Sequence, residues 1–143
     1  MPSVFDALGI RFQYPDNWSI DQISEGQGEQ VIVSSPETAF WHLSKHPRDM
    51  ELETLFDEAL STLRSVYQEM EVEPADEVVD EHELRGFDVR FYCLDLTNTS
   101  WLRGFQTPRA TYLLICQAED RELNRAGPVF RAMLASVLRN LAK

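Results

Sequence analysis

Between Phe87 and Gln117 the chain alternates and then saturates with apolar residues in a way that only a β-sheet with covered faces accommodates. Over Phe87-Asp88-Val89-Arg90-Phe91-Tyr92-Cys93-Leu94-Asp95-Leu96 the period is two, which puts Phe87, Val89, Phe91 and Cys93 on one side of a strand. The other side turns apolar towards Tyr92, Leu94 and Leu96, so cover on both faces is expected there. Thr97-Asn98-Thr99-Ser100 has turn chemistry. Trp101–Phe105 reads as a second strand and Pro108-Arg109 as a second turn. Ala110–Cys116 is a third strand, apolar almost throughout, as a strand buried on both faces is.

The flanking segments supply the cover. Upstream, residues 1–8 read as a lead-in, and Ile10, Phe12 and Tyr14 alternate in a strand that Pro15-Asp16-Asn17 ends. Trp18, Ile20 and Ile23 carry the next strand, Ser24–Gly28 a hairpin loop, and Gln30–Ser35 and Thr38–Lys45 two more strands. From Leu52 to Met70 apolar residues recur at helical spacing, and Pro74 leads into an acidic edge strand over Glu77–Leu84. Residues 119–125 read as a loop or one loose helical turn. Gly127 and Pro128 mark a break, and a second amphipathic helix follows from Val129 to the C-terminus. The expected class is α+β in one domain, residues 1–143, with an antiparallel β-sheet covered by helices on both faces.

Bulk properties narrow the function classes. A formal charge of −11 opposes nucleic acid or an anionic membrane as partner, since both need a positive footprint. Residues 51–83 hold twelve of the 24 acids and one basic residue, Arg64, an acidic side that reads either as a solvated face keeping the protein soluble or as a docking surface for a basic partner. No apolar run approaches the ~20 residues of a membrane helix. The start, Met1-Pro2-Ser3-Val4-Phe5-Asp6, has no basic stretch followed by a long apolar core, so a cytoplasmic location is expected. Cys93 and Cys116 fall on the first and third strands, about 9–10 Å apart at ~4.8 Å per strand, and read as reduced core residues.

Catalytic patterns are scarce. His42 and His46 are four apart in a strand-like stretch, about 13 Å at ~3.3 Å per residue, too far to share a metal. The sequence holds no Gly-x-Ser-x-Gly elbow, no Ser-x-x-Lys and no phosphate-binding glycine loop. The polar residues that stand out are Asp95, placed to pair with Arg103 across a hairpin, and the alternating Trp101, Arg103 and Phe105. Tryptophan with arginine is the composition of interface hot spots. The same three side chains also suit a site under a helix, with Arg103 reaching out to solvent.

Phe12-Gln13-Tyr14-Pro15-Asp16-Asn17-Trp18, followed by a strand meander, a mid-chain amphipathic helix, further long strands and a closing helix, resembles the PsbP-like superfamily. The resemblance implies an α/β/α sandwich and members that act by binding other proteins. It assigns no functional residue, because Tyr14, Pro15 and Trp18 look structural. The expectation is a non-enzymatic cytoplasmic protein-binding module without a cofactor, whose partner is a basic or amphipathic protein. Two alternatives stand beside it: a secretion-associated adaptor chaperone acting as a homodimer, and a small-molecule or catalytic domain with a pocket near Asp95, Trp101 and Arg103.

Overall fold

A computed structural model describes residues 2–23, 29–67 and 69–141. Its elements run β1 (Ser3–Ala7), β2 (Ile10–Tyr14), β3 (Ser19–Ile23), β4 (Glu29–Ser34), β5 (Phe40–Pro47), α1 (Leu52–Val66), β6 (Met70–Pro74), β7 (Glu77–Val79), β8 (His82–Cys93), β9 (Leu96–Gln106), β10 (Ala110–Glu119) and α2 (Asp120–Arg139). The expected hairpin loop at Ser24–Gly28 lies outside the described residues. No helix among those described is long and apolar enough to cross a membrane.

One antiparallel sheet carries the molecule, in the order β3-β4-β5-β10-β9-β8-β6, with β7 pairing the start of β8. Period-two alternation sends each strand's side chains to two cores. On one face α1 packs Leu55, Phe56 and Leu60 against Val89, Phe91, Leu102 and Leu113. On the other, α2 packs Phe130, Met133, Leu134, Val137 and Leu138 against Trp41, Leu43, Leu114 and Cys116. The separate β1–β2 hairpin lies on that second face and adds Phe5, Ile10 and Phe12 to its core. The expected sheet between helical layers is therefore the observed architecture.

Several boundaries differ from the expectation, each for a physical reason. The lead-in is strand β1, closed onto β2 by Leu8-Gly9 at φ 58° and 76°. The β8–β9 turn is Leu94-Asp95 at φ 54° and 66°, not Thr97–Ser100, which pair with Tyr92–Val89. Two-residue turns with both φ positive match the right-handed twist of the strands they join. A third such turn, Asp80-Glu81, splits the expected edge strand at Glu77–Leu84 into β7 and the start of β8. β7 pairs with β8 alone and is an edge as expected, and β6 continues that edge along β8. α1 stops at Val66, and Tyr67 turns extended to stack on Phe91 with ring centroids 4.1 Å apart.

α2 begins nine residues before the expected Val129 and runs through Pro128. An internal proline costs about 3 kcal/mol. Long-range anchoring of the first turn offsets that cost. Glu122, buried at 6% exposure, accepts hydrogen bonds from the Ser35 hydroxyl at 2.7 Å and from the Thr38 amide and hydroxyl at 2.8 and 2.7 Å. Thr99 donates to Asp120 at 2.7 Å. Both acids also sit where the helix dipole favours negative charge.

Cys93 and Cys116 are free, and they point to opposite faces of the sheet, one into each core. Burial pushes the Cys116 thiol well up from its ordinary value. Cover on both faces fails at the end of β8: Tyr92, Leu94 and Leu96 are 62%, 91% and 38% exposed.

Candidate functional site

Asp95, Trp101, Arg103 and Phe105 do not converge. Arg103 lies opposite Gly86 in the β8–β9 register, while Asp95 occupies the turn seven or more residues away, roughly 23 Å along the strand at ~3.3 Å per residue. The expected Asp95–Arg103 pair and the pocket built on it are absent. The long β9 strand places Trp101, Arg103 and Phe105 on the α2 face together, as alternation predicts. Phe105 is 5% exposed and stacked on Tyr112 at 5.1 Å. It is core.

Arg103 stays under α2, at 4% exposure, and does not reach solvent. Its Nε donates to Glu77 Oε2 at 2.5 Å, and Nη1 donates to the carbonyls of Leu102 at 3.0 Å and Phe87 at 3.3 Å. Asp88 Oδ1 lies 3.0 Å from the same Nη1, close enough for an ion pair although the angle is poor for a hydrogen bond. Arg131 of α2 reaches the other oxygen of Glu77 at 2.8 Å. A guanidinium fork suits this arrangement, since its donors fan in one plane towards separate acceptors. The cluster ties β7, β8, β9 and α2 together.

Trp101 sits among these charges. Its ring meets Phe130 edge-on at 5.8 Å, and the Arg131 guanidinium lies 5.0 Å from the ring centroid. Gly127 allows α2 to come close, because a Cβ there would stand 3.3 Å from the indole. Half-buried, Trp101 is part of the packing as well as of the surface. Trp101→Ala is expected to lower stability by about 2–3 kcal/mol, below the full-burial range. Chemical denaturation measures it, and an unchanged midpoint would make the side chain a purely external anchor.

The accessible edge of Trp101 opens into an acidic trough. A cleft of about 230 Å³ is lined by Trp101, Leu123, Glu71, Glu73, Asp88 and Arg90. A second, of about 460 Å³, shares Glu71 and Arg90 and continues past Glu69, Tyr92, Thr97 and Asp120. Together they carry five carboxylates (Glu69, Glu71, Glu73, Asp88 and Asp120) against one guanidinium. The exposed β8–β9 tip, Leu94 and Leu96, stands beyond Tyr92. The alternation shows these apolar residues but predicts cover for them, because alternation alone cannot say that a covering helix ends before the strand does.

Two other clefts flank the helices. One of about 700 Å³ lies between the β1–β2 hairpin and α2, where Ser136 accepts a hydrogen bond from the Gln13 amide at 3.0 Å. The other, of about 340 Å³, lies beside α1, with Ser44 and His46 hydrogen-bonded at 2.8 Å. His42 and Gln30 are joined at 2.6 Å. Among the described residues no group of three or more His, Cys, Asp or Glu side chains is placed to hold a metal.

Burial holds both imidazoles below the ordinary 6.5, with His46 adding to the effect on His42 and Glu58 partly opposing it at His46. The folded state thus takes up fewer protons than the unfolded one as pH falls through 6.5, and stability falls with it. Burial would raise the Glu122 carboxyl, but the bonds from Ser35, Thr38 and Ala39 outweigh it and hold it below 4.5. Its stabilisation is present above 4.5 and is lost as pH drops through the folded value. The melting temperature is therefore expected to decline in two stages on acidification. Replacing His42 and His46 by glutamine should flatten the first stage only; an unaltered profile would contradict the assignment.

No protein-family model matches the sequence, and no curated protein does. Solved structures match the arrangement of elements. The solution structure of the cyanobacterial PsbP protein CyanoP from Synechocystis aligns over 94% of this chain and 90% of its own, with a TM-score of 0.67 and 12% identity. The fold is PsbP-like. A Bacteroides thetaiotaomicron protein aligns with this chain over 93% of its length and 46% of the other's, at TM-score 0.62 and 13% identity. PA94 of Pseudomonas aeruginosa, a protein of unknown function, aligns over 95% of both chains, at TM-score 0.53 and 12% identity. Such identities convey the fold and no residue's role. The residues that suggested the likeness are structural here: the Trp18 amide donates to the Pro15 carbonyl at 3.1 Å, and its ring meets Phe130 edge-on at 6.1 Å.

Proposed function

We propose that this PsbP-like chain acts without catalysis, by binding a basic, amphipathic segment of another protein in the trough between β6, β8 and the first turn of α2. The observation that carries the reading is the union of five carboxylates with an aromatic floor and an apolar rim at one end of the sheet. Lysine or arginine of the partner would meet Glu71, Glu73 and Asp88. Leu94 adds a second support. It holds φ 54° with its side chain 91% exposed, a conformation that costs roughly 1–2 kcal/mol for a residue with a Cβ and returns no burial within this chain.

Calorimetric titration with a short capped peptide alternating lysine and valine tests the reading. Glu69→Lys, Glu71→Lys and Glu73→Lys together should weaken binding at least tenfold, equivalent to about 1.4 kcal/mol. Raising salt from about 0.1 to about 1 M, where the screening length shrinks from about 10 to about 3 Å, should weaken it too. Affinity indifferent to both would remove the trough as the binding surface.

A further inference from the structure

We infer that the partner segment binds as an added antiparallel β-strand on the free edge of β6, an inference that rests on the reading above and specifies its geometry. β6 ends the sheet, and among the described residues nothing pairs with its outer side. The hydrogen-bond parity of that edge follows from the ladder. The Ala75 amide donates to the Gly86 carbonyl at 2.9 Å, so in the same register Glu73 and Glu71 turn their backbone groups towards Asp88 and Arg90 of β8. Met70, Val72 and Pro74 turn theirs outwards. Val72 offers an amide and a carbonyl, Met70 offers its carbonyl, and Pro74 sits where its missing N–H removes nothing from the sheet.

Side chains divide by the same parity. Met70 and Val72 face the α1 core beside Tyr67 and Phe91, whereas Glu71 and Glu73 face the trough. An incoming strand therefore places apolar residues opposite Met70 and Val72 and lysines or arginines opposite Glu71 and Glu73, within the roughly 5 Å at which cross-strand pairs interact. A second copy of this chain is the wrong occupant. Two β6 edges paired antiparallel about Val72 would set Glu71 against Glu73 twice, so the charges that deter self-association select a basic strand.

Antiparallel addition makes a sharp demand. Residues opposite Val72 exchange both backbone bonds with it, so in a lysine–valine peptide the valine amides bond and the lysine amides face solvent. N-methylating the valines should weaken binding at least fivefold, N-methylating the lysines should leave it within twofold, and exchange of the Val72 amide hydrogen should slow in the complex. If the unmodified peptide binds with the expected charge dependence but both methylated forms bind alike, or the Val72 amide gains no protection, strand addition is wrong and the trough reading survives. If the unmodified peptide does not bind, both fail. The peptide modifications leave the protein untouched, so misfolding cannot confuse the outcome.

Discussion

Arg103→Ala is expected to destabilise the fold by about 3–5 kcal/mol, the cost of leaving buried charge without its partner. The arginine is 4% exposed and meets Glu77 at 2.5 Å, Asp88 at 3.0 Å and two backbone carbonyls. Removing it strands those acceptors beneath α2. Arg131 still reaches Glu77 from the surface, which keeps the loss from running higher. Equilibrium denaturation of the variant measures it, and Glu77→Gln should cost less because Asp88 and the carbonyls remain. A loss under about 1 kcal/mol for Arg103→Ala would mean that water already solvates the guanidinium. For a domain whose whole stability is of order 5–15 kcal/mol, the expected change is large.

Gly86→Ala is the second large effect, and it concerns the same place. A Cβ at Gly86 would stand 2.2 Å from the Leu102 carbonyl oxygen, 2.8 Å from Arg103 Cδ and 3.0 Å from Arg103 Nη1. The arginine crosses the sheet over the glycine opposite it, where any side chain would block the path. Overpacking usually costs 1–3 kcal/mol, and here one obstacle is backbone held in a ladder, so a loss of about 3 kcal/mol is expected. Gly86→Ala and Arg103→Ala combined should cost less than the sum, since the second removes part of the clash made by the first. Strict additivity in denaturation midpoints would show that the two positions do not share this space.

Much of this was readable in the sequence because alternation and helical spacing are local signals. Val89, Phe91 and Leu114 are buried as their strand patterns require. Turn chemistry misled at the β8–β9 hairpin, where Thr97–Ser100 look like a turn and Leu94-Asp95 do not. A two-residue turn with both φ positive wants Gly or Asn, and a leucine there is a choice that local propensity cannot anticipate. Gly127-Pro128 misled in the same manner, since the anchors that carry α2 through it come from Ser35 and Thr38, over 80 residues away. Arg103 was placed on the correct face but sent to solvent. Its acceptors, Glu77 and Asp88, lie on other strands, and no spacing rule brings them together. The acidity of residues 51–83 was evident; its concentration at the sheet edge beside Trp101 depends on the β6–β8 register.

Binding of a basic segment at the β6–β8–α2 trough is tested most directly by following backbone amide resonances while the lysine–valine peptide is titrated in. Shifts are expected at Glu71, Val72, Glu73, Arg90, Tyr92 and Thr97, saturating with peptide and fading with salt. Shifts centred on Gln13 and Ser136 in the opposite groove, or none anywhere, would contradict it.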